Sequence, residues 1–181
     1  MAYMLGSFII GEEGQAVWRI YASPINAKNL VKSKYFFIVL FGLIILTITG
    51  IIGTILYKPT LMLLGVGVLE ALFLIIALSA VSLNIGFRGA DFIEIPKPRM
   101  IRPAWMLINM LLCALTALAI LAPLLLSMIT IVLDTLGVAI LPSVNPLIAT
   151  AISGIIASVI AGLFYKFNLD TAKEFLRKAE V

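Results

Sequence analysis

The chain has 181 residues, 62% of them apolar, and a mean hydropathy of +1.17, well above the range of a soluble domain. Thirteen Lys and Arg against nine Asp and Glu give a formal charge of +4, and there is no His. Without His the chain lacks the usual haem axial ligand, the facial triad of non-haem iron and the common zinc ligand set. It also has no Gly-rich phosphate loop ending in Lys-Ser/Thr and no Gly-x-Ser-x-Gly elbow, so the reading points away from an enzyme and from any resident cofactor or metal.

In chain order, Ala2 to Ile10 is mostly apolar but too short to cross ~30 Å of hydrocarbon. No basic residue precedes it, as a signal peptide would require. It reads as an interfacial segment or the stub of a span. Glu12 to Ala22 predicts a short amphipathic helix, with Val17, Ile20 and Tyr21 on one face, Trp18 beside them, and Gln15 and Arg19 on a more polar face. Ser23-Pro24 ends it, because a residue before proline is pushed out of the helical region. Asn26 is placed to cap the next helix, which carries Lys28, Lys32 and Lys34. Residues 1–33 thus form an interfacial, cytoplasmic elbow.

Four long apolar runs follow: Tyr35 to Tyr57, Leu61 to Leu83, Ala104 to Leu133 and Pro146 to Tyr165. Each supplies the ~20 residues that a helix needs to span a bilayer. Backbone groups in lipid must be satisfied within the segment, and the runs do not alternate as barrel strands do. The expected fold is therefore an all-α integral membrane protein, one domain of four transmembrane helices over residues 1–181. Pro123 is expected to kink the third helix rather than end it. Residues 86–103 contain Pro96, Pro98 and Pro103 and read as a semi-rigid cytoplasmic loop; residues 134–145 read as an outer loop. Residues 168–181 predict a C-terminal amphipathic helix on the inner surface. Its apolar stripe is Leu169, Ala172, Phe175, Leu176 and Ala179, and Glu174 and Lys178 have i,i+4 spacing.

The basic residues set the orientation. Arg19, Lys28, Lys32 and Lys34 precede the first run. Arg88, Lys97, Arg99 and Arg102 lie between the second and third, and Lys166, Lys173, Arg177 and Lys178 follow the fourth. Only Lys58 falls on the other side. The positive-inside rule puts both termini and the middle loop in the cytoplasm, and the protein in the plasma membrane as a multi-pass chain. Topology and anionic lipid headgroups account for the isoelectric point of about 9.3, and no nucleic-acid partner is needed.

Glu70 interrupts the second run near its middle, where an ionised carboxylate costs at least ~3 kcal/mol. It reads either as a proton-coupled site or substrate contact, or as a neutral side chain bonded to a Ser or Thr of a neighbouring helix. Cys113 reads as a small buried packing residue. Ala149, Ser153, Ala157 and Ala161 recur every four residues, with Gly154, Ser158 and Gly162 beside them. Such small rows let helices approach closely, within the chain or against another membrane subunit. No internal repeat is visible.

Two segments carry a resemblance. Glu13 to Lys34, Glu-Gly-Gln-Ala-Val-Trp-Arg-Ile-Tyr-Ala-Ser-Pro-Ile-Asn-Ala-Lys-Asn-Leu-Val-Lys-Ser-Lys, resembles the elbow of type-2 ABC exporter permeases. In those permeases an acidic residue and Gly precede an aromatic-rich stretch, a Ser-Pro-Ile turn, an amphipathic helix and a Lys entering the next span. Asn84 to Phe92, Asn-Ile-Gly-Phe-Arg-Gly-Ala-Asp-Phe, is similar to their cytoplasmic exit two spans later. The two segments cover about a sixth of the chain. The resemblance implies an elbow, with Glu13, Ser23, Pro24, Ile25 and Lys34, that contacts an ATPase supplied by another chain. Such permeases usually have six or more spans per half, and this chain has four, so it looks like the back portion of a longer permease.

Three functions are therefore expected in turn. They are a permease-like subunit of an ABC-type exporter, a non-catalytic structural subunit of a larger membrane complex, and a small carrier using Glu70. The topology has a direct check. In a Cys113→Ala background, single cysteines at positions 94 and 178 should resist a membrane-impermeant maleimide added to intact cells. A cysteine at position 140 should react. The reverse pattern would invert the orientation.

Overall fold

The structure is a computed structural model that describes residues 2–11, 26–90, 101–136 and 145–177. The described residues are almost entirely helical: α1 (Ala2–Phe8), α2 (Ala27–Tyr57), α3 (Leu61–Gly89), α4 (Pro103–Thr135) and α5 (Pro146–Arg177). The last four are long and apolar enough to cross a membrane. The chain is a multi-pass membrane protein.

Local chemistry sets the helix ends. Asn26 caps α2 by accepting from the Lys28 amide at 3.2 Å, as its position after Ser-Pro-Ile led us to expect. Lys58 closes α2 in the left-handed conformation (φ 44°), its N–H reaching the Thr54 carbonyl. Pro59 and Thr60 complete the tight connection, and Thr60 caps α3. Pro103 and Pro146 open α4 and α5, a position where the missing N–H is not needed. Asn145 caps α5 through the Leu147 amide, at 2.9 Å. Pro123 sits inside α4, which continues through it to Thr135.

Two boundaries differ from the sequence reading. The amphipathic tail expected as a separate helix is the end of α5, which runs unbroken from Pro146 to Arg177. No Gly or Pro separates Tyr165 from Arg177, so nothing stops the helix at the membrane surface. Its apolar stripe packs into the bundle: Ala172 and Phe175 are buried, with Leu169 and Leu176 against them. The solvent side carries an Asp170–Lys173 pair at 3.2 Å; Lys178 lies outside the described residues. Likewise, α3 extends past Leu83 to Gly89, and its last residues are buried.

Charge distinguishes the two ends of the bundle. Lys28, Lys32, Lys34, Arg88, Arg102, Lys166, Lys173 and Arg177 gather where α2 and α4 begin and α3 and α5 finish. We call this the basic end; Lys58 marks the far end. At the basic end a single core joins Ile9 and Ile10 after α1, Ala27, Leu30 and Val31 of α2, Leu83 and Phe87 of α3, and Ala172 and Phe175 of α5. Phe87 and Phe175 meet edge to face at 5.8 Å. The Tyr35 hydroxyl donates to the Ile76 carbonyl at 3.0 Å, tying α2 to α3. A backbone bridge between Ala90 and Ile101 closes the α3–α4 connection.

The short N-terminal helix does not lie loose at the interface. Close contact between backbones seats it on the basic end of α3. A Cβ at Gly6 would fall on the Ser82 side chain, and one at Gly86 would stand 2.5 Å from the Gly6 carbonyl oxygen. Gly89 likewise makes room for the Trp105 side chain. At the far end the opposite holds. Gly50, Gly53, Gly65 and Gly67 have nothing within 4 Å of where a Cβ would stand, and α2 and α3 diverge around an apolar groove of about 820 Å³.

This contrast generates a paired prediction. Gly86→Ala should destabilise the detergent-solubilised protein by about 1–3 kcal/mol, because the facing atom is backbone and cannot rotate away. Gly50→Ala should be neutral or stabilising by up to about 1 kcal/mol through helix propensity. Thermal unfolding of the two variants should separate them.

Candidate functional site

Helices α3 and α5 run in the same direction and pack along most of their length, as a series of contacts records. Glu70 lies beside Ser153, Phe73 covers Gly154, Ala80 meets Asn168, and Asn84 meets Thr171. The small row predicted on α5 makes this possible. Ala149, Ser153 and Ala157 are buried, and Ala161 is half-buried. Of the second row, Gly154 faces the bundle, against Phe73, whereas Ser158 and Gly162 face outward.

The seam holds polar groups at two levels. Near the basic end, the Asn168 amide donates to the Ala80 carbonyl at 2.9 Å, and the Asn84 amide donates to Thr171 Oγ1 at 3.3 Å. These bonds fix the helices to each other where hydrocarbon offers no alternative partner. Toward the far end, Glu70 is 3% exposed and is the only buried acidic residue among the described residues. Ser153 of α5 presents its hydroxyl to the carboxyl. The approach stops short of hydrogen-bond geometry, so both Glu70 oxygens and Ser153 Oγ are buried without a hydrogen bond.

Counting 1.5 Å per residue from the far-end helix termini puts Glu70 about 14 Å deep and Ser153 about 10 Å deep. Ser127 and Thr130 of α4 and Thr150 of α5 are buried at about 12, 8 and 6 Å by the same count. The hydroxyls of Thr130 and Thr150 bond to carbonyls of their own helices. Just below this polar layer the seam turns apolar: Ala77, Ile120 and Ala157 form a buried cluster, with Phe73, Leu74, Ile156 and Ile160 packed on it. Two more unpartnered atoms, Ser79 Oγ and Asn168 Oδ1, lie beyond that cluster. Among the described residues, all five buried side-chain atoms without a hydrogen-bond partner belong to α3 and α5.

Of the elbow residues, only Lys34 lies within the described residues; it is half-buried near the start of α2. Glu13, Ser23, Pro24 and Ile25 lie outside them, as does the predicted helix over Glu12 to Ala22. Cys113 is buried and reduced, 3.4 Å from Asn109 Oδ1. Among the described residues no cluster of three or more acidic or Cys side chains could hold a metal ion.

Sequence reasoning found Glu70 and Ser153 separately but not as a pair. It passed over Asn84, Asn109 and Asn168 as site residues. Asn168 was legible in principle, since it follows Ala157 by three helical turns on the buried side of α5. Placing a helix boundary at Tyr165 hid that register.

Comparison with protein-family models, with curated proteins and with solved structures finds no match.

The two polar levels should respond differently to mutation. Glu70→Gln keeps a neutral hydrogen-bonding group and should fold with near-unchanged thermal stability. Glu70→Lys puts a cation into the same dry position and should abolish the monodisperse protein on gel filtration. Asn168→Ala removes a made bond and should cost about 0.5–2 kcal/mol in the same thermal assay.

Proposed function

We propose that this chain is a permease-like membrane subunit of an ABC-type exporter, energised by a separate ATPase chain. In this reading both termini and the basic end face the cytoplasm, in the plasma membrane. The ATPase contacts the elbow that includes Glu13, Ser23, Pro24, Ile25 and Lys34. One observation carries most weight: the two segments that resemble such permeases share a core. Ala27, Leu30 and Val31 of the first pack in the same buried cluster as Phe87 of the second. Tyr35, next to Lys34, adds its bond to the α3 backbone. A force applied at the elbow therefore has a packed route into α3, and from α3 along the seam with α5.

A second reading is a non-catalytic structural subunit of a larger membrane assembly. The far-end groove between α2 and α3 favours it. Its walls carry Gly50, Gly53 and Gly67, with no side chain of the described residues filling the space, and small residues are what close helix packing in lipid uses.

One experiment separates the two readings: affinity purification in gentle detergent, followed by mass spectrometry of the bound proteins. The exporter reading expects a nucleotide-binding ATPase in stoichiometric amount, reduced at least tenfold by the double change Ser23→Glu, Pro24→Gly while the membrane chain still accumulates. Recovery of other membrane subunits with no ATPase would leave the structural reading.

A further inference from the structure

We propose that Glu70 and Ser153 form an intramembrane proton-binding site, open to exchange from the far end of the bundle and closed toward the basic end. The proposal does not depend on the exporter reading.

Glu70 is not a structural tie between helices. Where α3 and α5 need polar groups for structure, they satisfy them, as Asn168–Ala80 and Asn84–Thr171 show. A carboxylate placed only to join helices would be expected to end in a hydrogen bond, since buried polar groups nearly always do. Glu70 instead has two buried oxygens and an adjacent serine hydroxyl, all three with hydrogen-bonding capacity unused. An ionised, unpaired carboxylate in that position is too costly to persist. The group must hold a proton or take a cation.

The surroundings of Glu70 suit a proton rather than a metal cation. A hard metal cation calls for about six oxygen ligands. Here the free donors are one carboxylate and one hydroxyl, and the nearby Thr130 and Thr150 hydroxyls already donate to helix carbonyls. Nor does a basic side chain compensate the carboxyl. The described ionisable groups of the packed helices lie elsewhere. Cys113 is in the basic-end half of α4, and Tyr35, Arg88, Tyr165 and Lys166 are near the basic end. Tyr57, Lys58 and Asp134 lie at the far rim.

The two sides of Glu70 differ. Between Glu70 and the far end, α4 and α5 bury three hydroxyl residues, Ser127, Thr130 and Thr150, with the apolar Val66 and Ala149 beside them. Between Glu70 and the basic end, Ala77, Ile120, Ala157 and Phe73 form an apolar layer where neither water nor a proton has a polar partner. Beyond that layer, Ser79 Oγ and Asn168 Oδ1 offer the next free acceptors. In this conformation a proton on Glu70 therefore exchanges with one aqueous phase. Separation of α3 from α5 at Ala77 and Ala157 would connect it to the other.

Dicyclohexylcarbodiimide provides the test. This apolar reagent enters membranes and reacts with protonated carboxyls. The O–H adds across one C=N bond, and the O-acylisourea rearranges to a stable N-acylurea, so the whole reagent mass is retained. The full-length chain is reconstituted into liposomes, with pH set independently inside and outside. A labelled cysteine at position 58 reports which side the far end faces. Peptide mass spectrometry should find the adduct on Glu70. Its rate should fall about tenfold per pH unit once the site titrates, following the pH of the far-end side alone. Ser153→Ala should keep the adduct but shift the pH at which the rate falls. Glu70→Gln should remove it while the protein stays monodisperse. Absence of an adduct, a rate insensitive to pH on both sides, or a rate following the basic-end pH would overturn the proposal. Protection by sodium at constant pH would overturn it too, assigning the site to a metal cation.

Discussion

Helix α3 touches every other helix among the described residues, and the architecture depends on how closely its neighbours can come. In lipid, apolar side chains gain little from meeting one another, since the surrounding acyl chains are equally apolar. What remains is van der Waals contact at short range and hydrogen bonds with no solvent competitor. Gly86 and Gly89 bring α1 and Trp105 against the α3 backbone, and Ala149, Ser153 and Ala157 bring α5 alongside. Replacing any of these with a large side chain separates backbones whose contact is the source of the cohesion.

The same constraint explains why the two ends differ. At the basic end, four segments converge on one core, and the Asn84 and Asn168 amides are bonded across the seam. At the far end, α2 leans away and many of its apolar residues, such as Ile51, Ile55 and Leu56, are exposed, which is the expected state of a lipid-facing surface. Stability is thus concentrated at one end. Motions that change the bundle would open it from the other, where fewer contacts have to break.

Between these regions lies the α3–α5 seam, polar at both levels and apolar in the middle. Parallel helices with small residues along the join can slide or tilt with little steric cost. The protonation state of Glu70 would bias such a tilt, because an ionised carboxylate cannot remain in a dry seam. In the proposed exporter, Val31, Phe87 and Phe175 would link the elbow to the same seam, so that a force from a partner and a proton at Glu70 would act on one joint.

Much of this was legible in the sequence. The four spans follow from uninterrupted apolar runs, because backbone groups in hydrocarbon must be satisfied inside a helix. The α2 cap at Asn26, the small row on α5 and the isolation of Glu70 also follow from local residue chemistry. Tertiary structure alone decided the rest. Whether a stripe such as Leu169, Ala172 and Phe175 lies on a membrane surface or in a core depends on what stands opposite, and periodicity carries no such information. Ala2 to Phe8 lacks the length to be stable alone and takes its place only because Gly6 and Gly86, distant in the chain, let two backbones touch. The pairing of Glu70 with Ser153 arises in the same way. A sequence shows that a carboxyl lies within an apolar span, but only the packing of parallel helices buries it, sets which hydroxyl it meets and leaves both without a bond.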